Sequence, residues 1–353
     1  MKFKAASFLA AILSIGLAFS GVGVSAGPSQ SQQQQPPKQQ GKTEKEKKAG
    51  DEDAGQDDPI KLGAQLVTVP FNVTDKTNRY IVDLTKDDLE LLEDTKPQQV
   101  FSFERQTDLP ITIAMLIDIS GSEKYTLPSE RIAGQRFFRR VLRQKKDIGA
   151  VVTFEGDSVL VQDLTSDVEK LARALDGVEV SAQVQSIGGV GGTPPINGGS
   201  RAGSTAMYDS IYAVSSDLLR REAGRRVIIL LTDGVDTSSR IKEREAIERT
   251  WRNEIIVYAI GIGDPGWGGI NQGTLKKITA ETGGRAFFPR NEEDLDKAFA
   301  QIDEDLRSQY VVAYQTSNEA NDGSFRTIQL RVKNRKELTV RHRRGYFAPT
   351  KKV

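Results

Sequence analysis

The sequence predicts an α/β protein, a doubly wound and mostly parallel sheet with a small flanking β-domain built from both chain ends. Three observations predict it. "ITIAMLID", "DIGAVVTF", "RRVIILLTD" and "EIIVYAIGIG" are continuous apolar runs, as strands covered on both faces require. Helical patterns alternate with them, which is the signature of strands connected by covering helices. Toward both ends of the chain the pattern changes to short strands separated by charged turns.

Taken in order, residues 1–26 read as a signal peptide. "MKFK" supplies positive charge, "AASFLAAILSIGLAFSGVGV" an uncharged apolar core, and "VSA" before Gly27 a small-residue cleavage site. The alternative is an uncleaved membrane anchor, because the uncharged stretch is just long enough to span. Residues 27–59 carry almost no apolar side chains and predict a solvated Gln/Pro/charged linker. Its "DEDAGQDD" lacks the later glutamate and the flanking helices of a calcium loop. Residues 60–107 predict the first part of the β-domain. Val67, Val69, Phe71 and Val73 alternate with polar residues, and Pro70 demotes their strand to an edge or a bulge.

The α/β domain is expected over 108–305. Ile132, Ala133, Phe137, Phe138, Val141 and Leu142 make one helical stripe opposite an Arg-rich face over 136–146, read as solvated charge. Met207, Ile211, Val214 and Leu218 make another, with Ser204 as its cap. Asn291 caps a third, whose first turn holds Glu292, Glu293 and Asp294. Residues 306–349 return to strands and complete the β-domain.

Composition narrows the chemistry. The 353 residues carry 49 Lys and Arg against 48 Asp and Glu, a net charge of +1. That balance offers nothing to nucleic acid, and membrane attachment is expected only if the leader is retained. There is no cysteine and one histidine, His342. Disulfides, thiolate metal sites, cysteine nucleophiles and lipoprotein attachment are therefore excluded.

Functional residues gather where strands end. "IAMLIDISGSEKY" finishes an apolar run with Asp118, then Ser120 and Ser122 at alternate positions around Gly121. Two serines on one side of a tight turn direct both hydroxyls at one point, and Asp118 adds charge. "GSTAMYDSI" opens a helix with Thr205, and "LLTDG" ends a strand with Asp233. Carboxyl ends of strands are where open α/β sheets bind ligands. Hard oxygens without nitrogen or sulfur favour six-coordinate Mg²⁺ or Mn²⁺. Asp209, one turn past Thr205, either backs this set or simply favours the helix N-terminus.

These residues resemble the metal-ion-dependent adhesion site of the von Willebrand factor type A (VWA) domain, a Rossmann-like fold. The resemblance covers roughly residues 108–305 and rests on three motifs in the right order, with "IVYAIGIGD" similar to the family's next strand. It implies that Ser120, Ser122 and Thr205 coordinate the ion directly and that Asp118 and Asp233 act through water. It also implies a partner protein offering an Asp or Glu carboxylate. Thr193, in the Gly-rich stretch 188–203, rivals Thr205. Thr205 is preferred because a helical pattern follows it, whereas "PPINGG" cannot continue a helix. The flanks "LTKDDLELLEDTKPQQVFSFE" and "RRGYFAP" resemble exported bacterial members that frame the domain with β-structure.

The expectation is thus an exported, non-enzymatic, metal-dependent protein-binding or adhesion module, periplasmic, surface-bound or secreted. Two other readings are a Mg²⁺-dependent hydrolase, for which no suitable base is apparent, and a structural metal site with binding through the β-domain. "GIGDPG" satisfies a dinucleotide fingerprint only formally, since "WGGINQG" follows where a helix should open. His342, far from any acid or serine cluster, reads as a packing or surface residue.

Overall fold

A computed structural model describes residues 65–180, 204–263 and 269–350. The predicted leader and linker, the rival Thr193 with the whole of its Gly-rich stretch, and Asp264–Gly266 of the glycine motif lie outside the described residues.

The chain begins with β1 (Leu66–Thr74), β2 (Leu89–Glu93), β3 (Lys96–Pro97) and β4 (Val100–Arg105). It then alternates through β5 (Ile111–Asp118), α1 (Leu127–Val141), β6 (Ile148–Phe154), β7 (Ser158–Thr165), α2 (Val168–Asp176), α3 (Met207–Ala213), β8 (Arg225–Thr232), α4 (Glu243–Arg252), β9 (Ile255–Gly261), α5 (Gln272–Thr282), β10 (Ala286–Phe287) and α6 (Glu292–Arg307). Four strands close it: β11 (Tyr310–Gln315), β12 (Phe325–Val332), β13 (Thr339–His342) and β14 (Gly345–Phe347).

The central six-stranded sheet has the order β10-β9-β8-β5-β6-β7, parallel except that β7 runs against β6 at one edge. Successive side chains of a strand point to opposite faces, so a continuous apolar run feeds two cores at once. On β5, Ile113, Met115 and Ile117 enter a core with Phe137 and Phe138 of α1, Leu171 of α2 and Phe299 of α6. Ala114 and Leu116 enter the other, with Met207 and Ile211 of α3, Ile247 of α4 and Leu275 of α5. Each fully buried Ile, Leu or Phe contributes roughly 1.5–3 kcal/mol.

The flanking strands form two four-stranded antiparallel sheets, β13-β1-β11-β4 and β14-β12-β2-β3. Both therefore combine the two ends of the chain. Val67, Val69, Phe71 and Val73 alternate inward as predicted and share one core with Leu89, Leu91, Tyr310, Val312, Ile328 and Leu330. Inside it Arg326, with no solvent exposure, donates to the carbonyls of Asn318 and Ala320 and faces Glu93 at 3.7 Å. Glu93 also accepts from Tyr314 (2.7 Å), Thr316 (2.6 Å) and Tyr346 (2.9 Å), so both of its buried oxygens are hydrogen-bonded, while Arg326 Nε has no partner.

Several expectations are corrected. Pro70 does not mark an edge strand, because β1 lies between β13 and β11. It is tolerated because β13 pairs only with Phe71–Thr74, leaving Pro70 opposite β11 alone. Ile132 is 54% exposed and drops out of the α1 stripe, which Gly134 and Leu127 complete instead. Ser204 does not cap α3, which starts after Ala206 without a side-chain cap; Leu218 is only partly buried. The Arg-rich face of α1 is ion-paired rather than merely solvated: Arg139 binds Glu169, Arg140 binds Asp303 and Arg143 binds Asp147. Asn291 does cap α6, accepting from the Asp294 amide at 2.8 Å. His342 is partly buried between strands, as a packing histidine.

Candidate metal centre

β5 stops at Asp118 because the chain must leave the sheet there, with only the Ile119 amide still bonded to the Phe154 carbonyl at the end of β6. Asp118 is fully buried and held from two sides. Its Oδ1 accepts from the Ser120 amide (3.0 Å), and its Oδ2 from the hydroxyl of Thr232, the last residue of β8 (2.6 Å). Ser120 is extended and a single 3-10 turn, Gly121–Glu123, follows. This places the Ser120 and Ser122 hydroxyls 3.0 Å apart, converging as expected. Gly121 sits in that turn without adopting left-handed geometry.

Asp233 follows β8 directly. Its Oδ1 accepts from the Val235 amide at 2.8 Å, and Ser122 hydrogen-bonds it as well. The turn needs glycine at 234, where φ is +78° and a Cβ would lie 2.8 Å from Leu275 Cγ. Thr205 is buried at the adjoining tip. Its amide donates to the Thr237 hydroxyl (2.8 Å), its carbonyl accepts from the amides of Thr237 and Ser238, and the next amide, Ala206, reaches the Glu155 carbonyl just past β6. Asp209 stands in the first turn of α3, as foreseen, and also accepts from the amides of Arg240 and Ile241, pinning the loop after β8.

Glu123 and Glu130 were missed by sequence reasoning. One oxygen each from Asp118, Glu123 and Asp233 lie within 4.8 Å of one another, and all three residues are buried. Glu123 Oε2 accepts from the Thr126 hydroxyl at 2.8 Å, while Oε1 has no partner. Glu130, on the first turns of α1, is 1% exposed and both its oxygens lack a partner. One signal for it existed: Leu127, Glu130, Gly134 and Phe137 are spaced as a helical core stripe, so a carboxylate stood at a core position.

Burial pushes the Asp118 carboxyl up to about 6. Burial also raises Asp233, and it raises Glu123 and Glu130, which lift further through neighbouring carboxylates. When ionised, two carboxylates 4.8 Å apart, the upper limit among Asp118, Glu123 and Asp233, repel by about 3 kcal/mol at an effective dielectric near 20. Hydroxyls and carboxylates this close, with orphaned buried oxygens, fit a divalent hard cation. Glycine or an apolar residue would otherwise be the cheaper occupant of such positions.

The model of the von Willebrand factor type A domain matches residues 112–301. No curated protein matches the chain. Among solved structures, a von Willebrand factor type A protein from Catenulispora acidiphila is similar at 15% identity, covering 83% of this chain and 76% of that one, with a TM-score of 0.45. The conserved hypothetical protein BatB from Bacteroides thetaiotaomicron is similar at 20% identity over 56% of this chain and 98% of its own, with a TM-score of 0.41. Proximal thread matrix protein 1 from the mussel byssus, with a zinc-occupied MIDAS motif, is similar at 19% identity and a TM-score of 0.45. That match covers 61% of this chain and half the length of the mussel protein.

Proposed function

Because the chain belongs to the von Willebrand factor type A domain family, we propose that it is a metal-dependent protein-binding module whose ion sits at the tips of β5 and β8. The observation that carries this reading is the close set of oxygens: three buried carboxylates within 4.8 Å and two serine hydroxyls 3.0 Å apart. Ser120, Ser122 and Thr205 would offer hydroxyls to Mg²⁺ or Mn²⁺, and Asp118 and Asp233 would hold its waters and balance its charge. The bound ion supplies an electrophilic centre for a carboxylate from a partner protein. Thr232 and the Ser120 amide fix the Asp118 carboxylate in place, so little side-chain freedom is lost on loading.

The reading is non-catalytic. The one histidine stands on β13, outside the central sheet that carries the cluster. The chain would be exported through residues 1–26, carried on the 27–59 linker, with residues 60–107 and 306–349 framing the module over 108–305. Among the described residues no helix is long and apolar enough to cross a membrane.

Calorimetric titration of the full chain with Mg²⁺ and Mn²⁺, wild type beside Asp118→Ala, tests the site. Binding in the wild type with at least a tenfold loss in the variant, its circular dichroism unchanged, is expected. Wild type that takes up neither ion even with acetate present sinks the proposal, and so does equal affinity in the variant.

A further inference from the structure

The carboxylate of Glu123 has no place in the five-residue set that the family resemblance supplies, yet it shares the cluster with Asp118 and Asp233. Resting on the metal-site reading above, we infer that Glu123 is a built-in ligand, closing the ion's coordination from within the chain so that an acidic partner must displace it.

Glu123 directly follows Ser122, so the turn that delivers the two hydroxyls delivers this carboxylate too. The side chain is completely buried and aimed inward, with one oxygen on the Thr126 hydroxyl and the other on nothing. A glutamate kept only to brace the turn would need one acceptor, and glutamine would supply it without charge. Behind it Glu130, fully enclosed on α1, lies against Thr126 and Glu123, and neither of its oxygens makes a well-formed hydrogen bond. A buried, unpaired carboxylate is retained against a steep desolvation cost only where a cation or proton meets it.

Charge counting gives the functional consequence. Asp118 and Asp233 alone neutralise a divalent ion and leave it receptive to one more anionic oxygen. Adding Glu123 makes the cluster net negative, and an external carboxylate then meets repulsion as well as an occupied position. Because Glu123 is tethered beside the ion, it competes at a high effective concentration, as any intramolecular ligand does. The isolated chain therefore holds its metal firmly and binds acidic partners weakly until the Gly121–Thr126 turn moves.

The test uses Mn²⁺ on the full chain, comparing wild type, Glu123→Gln and Asp118→Ala. Three quantities are read: Mn²⁺ affinity by calorimetry, the number of waters on bound Mn²⁺ by water-proton relaxation, and acetate affinity of the loaded protein. Glu123→Gln should lower Mn²⁺ affinity at least tenfold, add one coordinated water, and tighten acetate binding at least tenfold. A bracing role alone would not move metal and acetate affinity in opposite directions. Unchanged affinity and water number in Glu123→Gln, with Mn²⁺ lost in Asp118→Ala, overturns the inference and leaves the metal site standing. No Mn²⁺ uptake by wild type, with or without acetate, overturns both. Should Glu123→Gln fail to fold, the wild type decides alone: a full hydration count on bound Mn²⁺, or its displacement by millimolar acetate, is incompatible with an internal ligand.

Discussion

His342 shows how one titratable side chain couples to the fold. Its Nε2 accepts from the Leu330 amide (3.3 Å) and its Nδ1 lies 2.7 Å from the Arg343 carbonyl, so the neutral ring with a proton on Nδ1 satisfies both. Protonation would put a second proton against the Leu330 N–H. Burial accordingly lowers the folded pKa below the ordinary 6.5. Since the unfolded chain then binds the proton more readily, this contribution is fully present above about 6.5 and is lost as pH falls toward the folded value. The raised carboxyls of the metal centre act in the opposite sense, so the contribution is read as a difference: the urea-unfolding stability of wild type minus that of His342→Gln should fall as pH drops from 7.5 to 4.5. At this scale the site was partly legible. Asp118, Ser120, Ser122 and Asp233 could be read because local spacing places them on one strand tip or the next. Glu123 could not, since "SGSEK" reads as a surface turn and only the packing of α1 over it shuts out solvent. Thr205 is preferred over Thr193 for the helical pattern that follows it, and of the two only Thr205 falls in the described part.

Among the elements, parallel strands were the most legible. A strand buried on both faces carries a continuous apolar run through its middle, and β5, β6, β8 and β9 do. The antiparallel edge strand β7 escaped notice because its Val159 and Val161 alternate outward and present no inward apolar run. Pro70 misled because an interior strand need not be paired along its whole length. Helix packing depends on small residues facing large ones, as at Gly149 on β6. A Cβ there would lie 2.8 Å from Phe138 Cε1, 3.0 Å from Leu171 Cδ1 and 3.3 Å from Leu142 Cδ1, so α1 and α2 would both have to retreat. Gly149→Ala should cost about 1–3 kcal/mol by urea unfolding, the usual range for overpacking. A change below 0.5 kcal/mol would show that these helices yield more easily than their packing implies.

For the whole molecule, the α/β layers and the paired sheets are joined by specific contacts. Trp251 of α4 stacks on Phe325 of β12 with ring centroids 4.4 Å apart, while its indole N–H donates to the Glu281 carbonyl at 2.7 Å. Arg252 lies 3.6 Å over the Phe347 ring, and Arg343 bridges Glu254 (2.9 Å) and the Thr68 carbonyl (2.8 Å). Such an interface couples the two parts, so calorimetry should show one endotherm for the wild type. Trp251→Ala should lower stability by about 2–3 kcal/mol, somewhat under the range for a fully buried Trp, and broaden or split the transition. Two separate endotherms in the wild type would contradict that coupling.

The path of the chain also sets how the molecule bears load. β1 and β11 run antiparallel, with Leu66 opposite Gln315 and Phe71 opposite Tyr310. Tension arriving at Leu66 and resisted at Tyr310, where the chain emerges from α6, pulls the two strands lengthwise in opposite directions. Every hydrogen bond of that ladder then carries force together, as stitches do in a lap seam, instead of opening one after another like a zip.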